Sequence, residues 1–163
     1  MTCRQIMRLM ITGIVLIVAS AAAHAQCSVD RLEQFLDKRQ FELSADQKIG
    51  LYADRLVRYY DNRDISRRSV YEKMRQWEKR WPERIYKYIS IQDYKETDEG
   101  DACRVTFNYR FLAYSPQRDK VSAGVGRSTL VLADLEGDGD YRIIGEFGDV
   151  RCRGLQRFAR SRC

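Results

Sequence analysis

The chain has 163 residues, of which 44% are hydrophobic and 32% are charged, and its formal net charge is +6. This length suits one domain with a single core, and the modest, mixed charge argues against nucleic-acid binding. His24 is the only histidine, so loss of the N-terminal segment described next would exclude Ser–His–Asp and Cys–His catalysis and every histidine-containing metal site.

Residues 1–25 have the pattern of a cleavable secretory signal peptide. The pattern consists of a positive start, an almost unbroken apolar run and small residues at the cleavage positions, found in Arg4 and Arg8, residues 9–19 and Ala23-His24-Ala25. The apolar run is shorter than the ~20 residues of a spanning helix, which disfavours an uncleaved anchor. We expect cleavage before Gln26, and this glutamine also disfavours a lipid on Cys27, because a lipobox has a small residue before its cysteine.

Cleavage would leave residues 26–163 as one domain that works outside the cytoplasm. Its net charge would fall to +4, because Arg4 and Arg8 are the only charged residues removed. Four cysteines would remain, namely Cys27, Cys103, Cys152 and Cys163. In an oxidising compartment this even number indicates two disulfides. A zinc site with four thiolates is the alternative, although no two of these cysteines have the C-x-x-C spacing that such sites favour.

The first part of this domain is predicted to contain three helices. Ser28 caps the first, whose apolar face is Val29, Leu32, Phe35 and Leu36. A capping box of the S-x-x-Q form begins at Ser44 and opens a second helix, whose apolar residues keep helical spacing up to Tyr60. An Asp-Asn-Arg-Asp run ends that helix. Ser66 caps a third helix, which Pro82 ends and whose apolar stripe is Val70, Met74, Trp77 and Trp81.

After the third helix the apolar period changes to two, which predicts strands. The first strand covers 85–94, with three isoleucines (Ile85, Ile89 and Ile91) on one face and three tyrosines on the other. The second covers 103–114, and the last two, 128–135 and 141–150, are joined by a hairpin turn. A basic tail, 154–163, follows. Three helices and then about four antiparallel strands predict an α+β fold, with the helices packed on one face of a curved sheet to form a cone that encloses a pocket.

Three segments between residues 51 and 88 carry a resemblance to a known family. They are Tyr52-Ala53 with Val57-x-Tyr59-Tyr60, Ser66-Arg67-x-x-Val70-x-x-Lys73, and Arg80-Trp81-Pro82-Glu83-Arg84-x-Tyr86. Together with the order of elements, they resemble the nuclear-transport-factor-2-like (SnoaL-like) superfamily, in particular small exported domains of Gram-negative bacteria. This superfamily includes isomerases, dehydratases, binding domains and scaffolds, and it has no universal catalytic motif. The resemblance therefore implies the fold and leaves the function open.

The candidate ligand-binding residues are phenols and charged groups near the expected cone. Phenols on the first two strands suit a pocket for a partly polar ligand, and equally a half-exposed strand face. Tyr60 with Asp61 or Asp64 could form an acid–base group, although aspartates at a helix end are more often turn formers. No catalytic residue is assigned. The ligand-binding candidates are Tyr60, Asp61, Arg84, Tyr86, Tyr88 and Tyr109.

Two further motifs are better explained without a ligand. Trp77 and Trp81 lie beside basic residues and could stack a sugar or bind an anionic polymer, but they continue an apolar stripe, which favours the core. The segment from Asp134 to Gly139 begins like an EF-hand loop, yet its twelfth position is Gly145 rather than glutamate. A solvated hairpin turn is therefore favoured, and we expect neither a metal ion nor a cofactor.

The function expected from these observations is that of an exported, non-enzymatic binding module of the bacterial cell envelope, periplasmic or extracellular. Its partner would be an envelope protein, a polysaccharide or a small amphiphilic ligand, and not a nucleic acid. One alternative is an isomerase or dehydratase that uses a Tyr/Asp pair in the cone, and another is a subunit that dimerises through its sheet face. A tyrosine-lined cavity with a buried carboxylate would favour the enzyme. A filled cone would favour the binding module, and a large apolar sheet face would favour the dimer.

Four cysteines allow three disulfide pairings. Cys103 begins one predicted strand and Cys152 ends another, at opposite ends of the sheet. A disulfide spans only ~5.5 Å between Cα atoms, so a bond between these two is disfavoured. Cys27–Cys103 with Cys152–Cys163 is preferred to Cys27–Cys152 with Cys103–Cys163, because it ties the first helix to the sheet.

Overall fold

The computed structural model describes residues 27–39, 43–98, 101–137 and 139–160, apart from the side chain of Phe158. The predicted signal peptide, its cleavage site and Cys163 lie outside these ranges. No helix within them is long and apolar enough to cross a membrane.

Six strands of the described chain form one sheet. They are β1 (Arg55–Tyr59), β2 (Asn62–Ser66), β3 (Glu83–Glu96), β4 (Ala102–Ser115), β5 (Lys120–Ala133) and β6 (Arg142–Arg153). Their order across the sheet is β2-β1-β6-β5-β4-β3, and only β1 and β6 pair in parallel. Because sheets twist, strands as long as β3 to β6 curl, and their inner face is concave.

Four α-helices accompany the sheet within the described ranges, namely α1 (Val29–Arg39), α2 (Ala45–Lys48), α3 (Arg67–Arg80) and α4 (Leu155–Arg160). The capping box at Ser44 is present, with its hydroxyl accepting from the Gln47 amide and the Gln47 side chain accepting from the Ser44 amide. Ser66 caps α3 through a bond from the Ser69 amide to its hydroxyl. These polar caps explain why α2 and α3 begin where the sequence predicts.

The hydrophobic core lies between α1 and the inner face of the sheet. Leu32, Phe35 and Leu36 bury the apolar face of α1. They pack in one cluster with fully buried residues of the central strands, which include Val105, Phe107, Leu130 and Leu132. Burial of this apolar surface is the main force that holds α1 on the sheet.

The prediction of a second helix reaching Tyr60 is wrong. Helix α2 ends at Lys48, one 3₁₀ turn follows over Ile49–Leu51, and the chain then becomes β1. Tyr52 and Leu56 are buried as predicted, but a spacing of four residues fits a helix face and a strand face alike. The segment forms a strand rather than a helix because the backbone of β1 is hydrogen-bonded to β2 and β6. A sequence pattern does not reveal such pairing.

The predicted sheet of about four antiparallel strands is also corrected, to a mixed sheet of six. The two missed strands, β1 and β2, form a hairpin whose turn contains Tyr60 at a positive φ of 52°. Strands β5 and β6 are longer than predicted, since β5 pairs with β4 along its whole length, from Lys120 to Ala133. Helix α4 lies within the predicted basic tail.

Two register shifts in the β3–β4 ladder change which side chains share a face. They fall between Tyr88 and Ser90 and between Ile91 and Asp93. Each shift inserts one residue and reverses the alternation. Ile91 therefore pairs with Phe107 and packs on the core, although the simple period of two places it on the face opposite Tyr88.

A disulfide joins Cys27 and Cys103, whose Cα atoms are 5.6 Å apart, and the preferred pairing is confirmed for this bond. Cys103 pairs with Leu132 and Cys152 with Val125, far apart along β5, so the argument against a Cys103–Cys152 bond is also confirmed. Cys152 is itself disulfide-bonded. Its predicted partner, Cys163, lies outside the described residues.

Candidate functional site

A cavity of about 600 Å³ lies between α3 and the concave face of the sheet. Its size falls in the range of small-molecule sites. The end nearest α1 is called the floor here, and the end nearest the β4–β5 turn is called the rim. The residues that line it include three groups, namely the floor residues Arg39, Tyr52, Tyr60 and Glu146, the ring-wall residues Trp77, Tyr86, Tyr109 and Phe111, and the rim residues Arg80, Trp81, Arg84 and Arg153.

Glu146 of β6 is the centre of the floor. It is 4% exposed, and its Oε1 lies 2.6 Å from Nη2 of the equally buried Arg39 at the end of α1. The Tyr52 hydroxyl donates to Oε2, and the Tyr60 hydroxyl lies 3.3 Å from Oε1. A buried charge needs such partners, so the floor is a polar cluster at the end of a cavity whose wall includes four aromatic rings.

The two phenols on the floor act as hydrogen-bond donors at neutral pH. Burial raises the pKa of Tyr52, and the Glu146 carboxylate raises it further. Desolvation of its hydroxyl and the nearby Glu146 carboxylate also raise the pKa of Tyr60, although the residue as a whole is 39% exposed. Burial is the largest single effect on the pKa of Arg39 and lowers it, but Glu146, Tyr52 and Tyr60 together outweigh burial, so that the pKa is raised. The floor therefore combines one cation, one anion and two protonated phenols.

Lys48 is a further cation of the cavity wall. Burial lowers its pKa to about 8, and repulsion by Arg39 and Arg84 acts in the same direction. Glu146 and Glu78 oppose this change without cancelling it. An ammonium that is surrounded by more positive than negative charge loses its proton more readily.

The ring wall is built by cross-strand pairs and made possible by glycine. Tyr86 pairs with Phe111, and its ring centroid lies 5.9 Å from that of Tyr109 and 5.7 Å from that of Trp77. Tyr109 pairs with Gly126, and a Cβ at position 126 would fall well inside contact distance of the Tyr109 ring. Gly126 thus allows this ring to lie flat against β5 and leaves the cavity open.

The candidates from the sequence are divided by the fold. Tyr60, Arg84, Tyr86 and Tyr109 line the cavity, whereas Tyr88 packs on Phe107 outside it. Asp61 is exposed at the β1–β2 turn. Asp64 forms an exposed ion pair with Arg55, so the carboxylate near Tyr60 is Glu146 and neither aspartate.

The expectation that Trp77 and Trp81 belong to the core is wrong. Trp77 is 39% exposed, and both indoles line the cavity. Arg118 stacks on Trp81 at 4.4 Å and Arg84 lies 5.3 Å from the Trp77 ring centroid. The apolar stripe of α3 therefore passes from the core at Val70 to the cavity at Trp77 and Trp81, and Met74 between them contacts the core and lines the cavity.

Two floor residues could have been found from the sequence. Arg39 follows Leu32, Phe35 and Leu36 at helical spacing, so it lies on the buried face of α1. Glu146 is the single charge within the segment Ile143-Ile144-Gly145-Glu146-Phe147. A lone charge on an apolar face indicates a buried partner of opposite sign, but only the fold shows that these two meet.

Solved structures with similar architecture share little sequence with this chain. A candidate scytalone dehydratase from Novosphingobium aromaticivorans has a TM-score of 0.63 and 8% identity, covering 77% of this chain and 85% of its own. A nuclear transport factor 2-like superfamily protein from Salmonella enterica has a TM-score of 0.56 and 14% identity, covering 77% and 90%. A hexachlorocyclohexane dehydrochlorinase (LinA) type 2 has a TM-score of 0.55 and 9% identity, covering 77% and 83%.

No family model and no curated protein matches the sequence. The TM-scores establish the shared architecture, whereas sequence identities this low carry no information about the reaction. The chain therefore has the nuclear-transport-factor-2-like fold, as the resemblance of its sequence segments implies.

Proposed function

We propose that the protein binds one small, mainly aromatic molecule inside the cone, with a polar group of that molecule directed to the floor. The observation that carries this proposal is the cavity itself, since its ring wall ends on the buried Glu146 cluster. Of the three functions expected from the sequence, an interaction module with a filled cone is therefore disfavoured. A tyrosine-lined cavity with a buried carboxylate is the arrangement expected of the enzyme, and binding of a small molecule in the cone is a step that the enzyme shares with a ligand-binding module. Within the described residues, the second apolar cluster of the sheet, around Ala102, Val131 and Ala133, is already buried in the monomer and gives no support to a dimer through the sheet face.

Binding of a neutral aromatic probe tests this proposal. We expect 2-naphthylmethanol to bind with 1:1 stoichiometry in calorimetry and to change the fluorescence of Trp77 and Trp81. Gly126→Ala should weaken this binding on the order of tenfold, because the added methyl pushes the Tyr109 ring into the cavity. Gly50→Ala is the matched control, since its Cβ meets nothing within 4 Å. Absence of binding, or equal affinity in both variants, would contradict the proposal.

Proton transfer on the bound molecule is a second candidate function. It is favoured by the long Tyr60–Glu146 hydrogen bond of 3.3 Å. A ligand oxygen could replace Glu146 as the acceptor of the Tyr60 hydroxyl, and Glu146 would then take a proton from a carbon atom of the ligand. Two of the similar structures are named for eliminations, a dehydration and a dehydrochlorination, which is consistent with this reading. Against this function, Arg39 and Tyr52 already donate hydrogen bonds to the two carboxylate oxygens of Glu146, which makes Glu146 a weaker base.

Elimination of 5-nitrobenzisoxazole separates the two functions. In this probe reaction a base removes the ring C–H proton, the N–O bond breaks and a coloured cyanophenolate leaves. A catalytic Glu146 should accelerate it beyond free acetate, and Glu146→Gln should lose about 10² of the rate. Tyr60→Phe, which keeps the ion pair, should lose less. If the wild-type protein binds 2-naphthylmethanol but does not accelerate the elimination, the cone is a binding module only.

We also propose that the protein acts after export from the cytoplasm. The N-terminal pattern supports this location, and the Cys27–Cys103 disulfide is compatible with an oxidising compartment. Mass spectrometry of the protein isolated from its cells should find Gln26 as the first residue, and an intact Met1 would argue against export.

A further inference from the structure

The walls of the cavity carry more positive than negative charge. Among the described residues, six cationic side chains and two carboxylates line it. Both carboxylates already have arginine partners, Glu146 with Arg39 at 2.6 Å and Glu78 with Arg84 at 2.8 Å. The remaining positive charge belongs to four other side chains, namely Lys48, Lys73, Arg80 and Arg153.

Three of these cations have no carboxylate partner within 4 Å in the described part of the chain, namely Lys73, Arg80 and Arg153. Two of them lie at the rim. Arg153 pairs with Gly124 of β5, and the Arg80 carbonyl accepts a bond from Arg118 in the β4–β5 turn at 2.8 Å. Like charges that converge on one opening attract an anion, because field lines are focused by the low-dielectric walls.

Ser128 supplies an independent sign of a ligand deeper in the cavity. It is 3% exposed, it lines the cavity between the rim and the floor, and its hydroxyl has no hydrogen-bond partner among the described residues. A buried hydroxyl is normally satisfied, so this one is available to a polar atom of the ligand.

We propose that the ligand of the cone is an aromatic carboxylate with a second polar group on its ring. The ring lies on Tyr86 and Tyr109, the carboxylate lies at the rim near Arg80 and Arg153, and the second group reaches Ser128. This inference rests on the proposed binding function and names the class of molecule bound. The floor cluster adds no net charge, because Arg39 and Glu146 neutralise each other, so the preference for an anion comes from the rim and from the lysines.

Calorimetry with three ligands that share one ring system tests the inference. At low salt, 2-naphthoate should bind at least tenfold more tightly than neutral 2-naphthylmethanol, and the difference should shrink as salt screens the rim. The 6-hydroxy derivative of 2-naphthoate should bind more tightly still, and Ser128→Ala should abolish only that additional gain.

Charge-removal variants identify where the preference arises. Arg153→Gln and Lys73→Gln should each lower the affinity for 2-naphthoate about fivefold and leave that for 2-naphthylmethanol unchanged. Lys79→Gln is the matched control, since it removes one charge from the same helix outside the cavity. Equal affinity of the wild-type protein for the anion and the alcohol would overturn the inference and leave the binding function standing. Failure of all three ligands to bind would overturn both.

Discussion

Arg39→Leu is expected to lower the free energy of unfolding by about 3–5 kcal/mol. The substitution leaves the Glu146 carboxylate buried without its cation, and removing one partner of a buried ion pair costs that much. The Tyr52 and Tyr60 hydroxyls still donate to Glu146, so the fold should weaken rather than be lost. Urea denaturation monitored by circular dichroism measures the change.

The double variant Arg39→Leu/Glu146→Leu is the informative control. Replacing both charges with apolar groups of similar size is often neutral for stability, so this variant should recover most of the loss while it loses the polar floor. Arg55→Leu, which breaks the exposed pair with Asp64, should change stability very little, because water screens an exposed ion pair. Equal destabilisation by Arg39→Leu and Arg55→Leu would mean that the floor pair has no special energetic role.

Cys27→Ala is expected to lower the free energy of unfolding by about 4 kcal/mol. The Cys27–Cys103 bond closes a loop with a sequence separation of 76 residues, and the loop-entropy model gives a value of this size for such a loop. Cys27 is the residue to change because it is only partly buried, whereas Cys103 is completely buried and its truncation would add a cavity. Chemical denaturation of the two proteins under oxidising conditions measures the difference.

Reduction tests whether loss of the disulfide itself lowers the stability of Cys27→Ala. A reductant that opens the bond should bring the wild-type protein close to Cys27→Ala, while the stability of the variant should change much less. Because Cys152 is also in a disulfide, peptide mapping after partial alkylation must show which bond has opened. If Cys27→Ala is as stable as the wild type, the bond does not constrain the unfolded chain.

The second helix and the floor show where prediction from sequence fails. Tyr52 and Leu56 have a spacing that is compatible with a helix and with a strand, and backbone pairing with β6 decides for the strand. The β3–β4 register shifts place Ile91 on the core face for a similar reason, since a bulge has no reliable signature in the alternation of residues. The sequence suggests Asp61 or Asp64 as the carboxylate beside Tyr60, because they are its neighbours along the chain, whereas the fold supplies Glu146 from β6.

The sequence by itself determined the features that depend on neighbours along the chain. These are the caps at Ser44 and Ser66, the apolar face of α1, the alternation of β4 and, through three short segments, the fold. Only the tertiary structure decided the cavity and its chemistry. Arg39 and Glu146 are 107 residues apart in the sequence, and Gly126 makes room for the Tyr109 ring only because the pairing of β4 with β5 places the two residues side by side. Short-range order follows from local hydrogen bonding and periodicity, whereas a site is made by residues that only the closed sheet brings together.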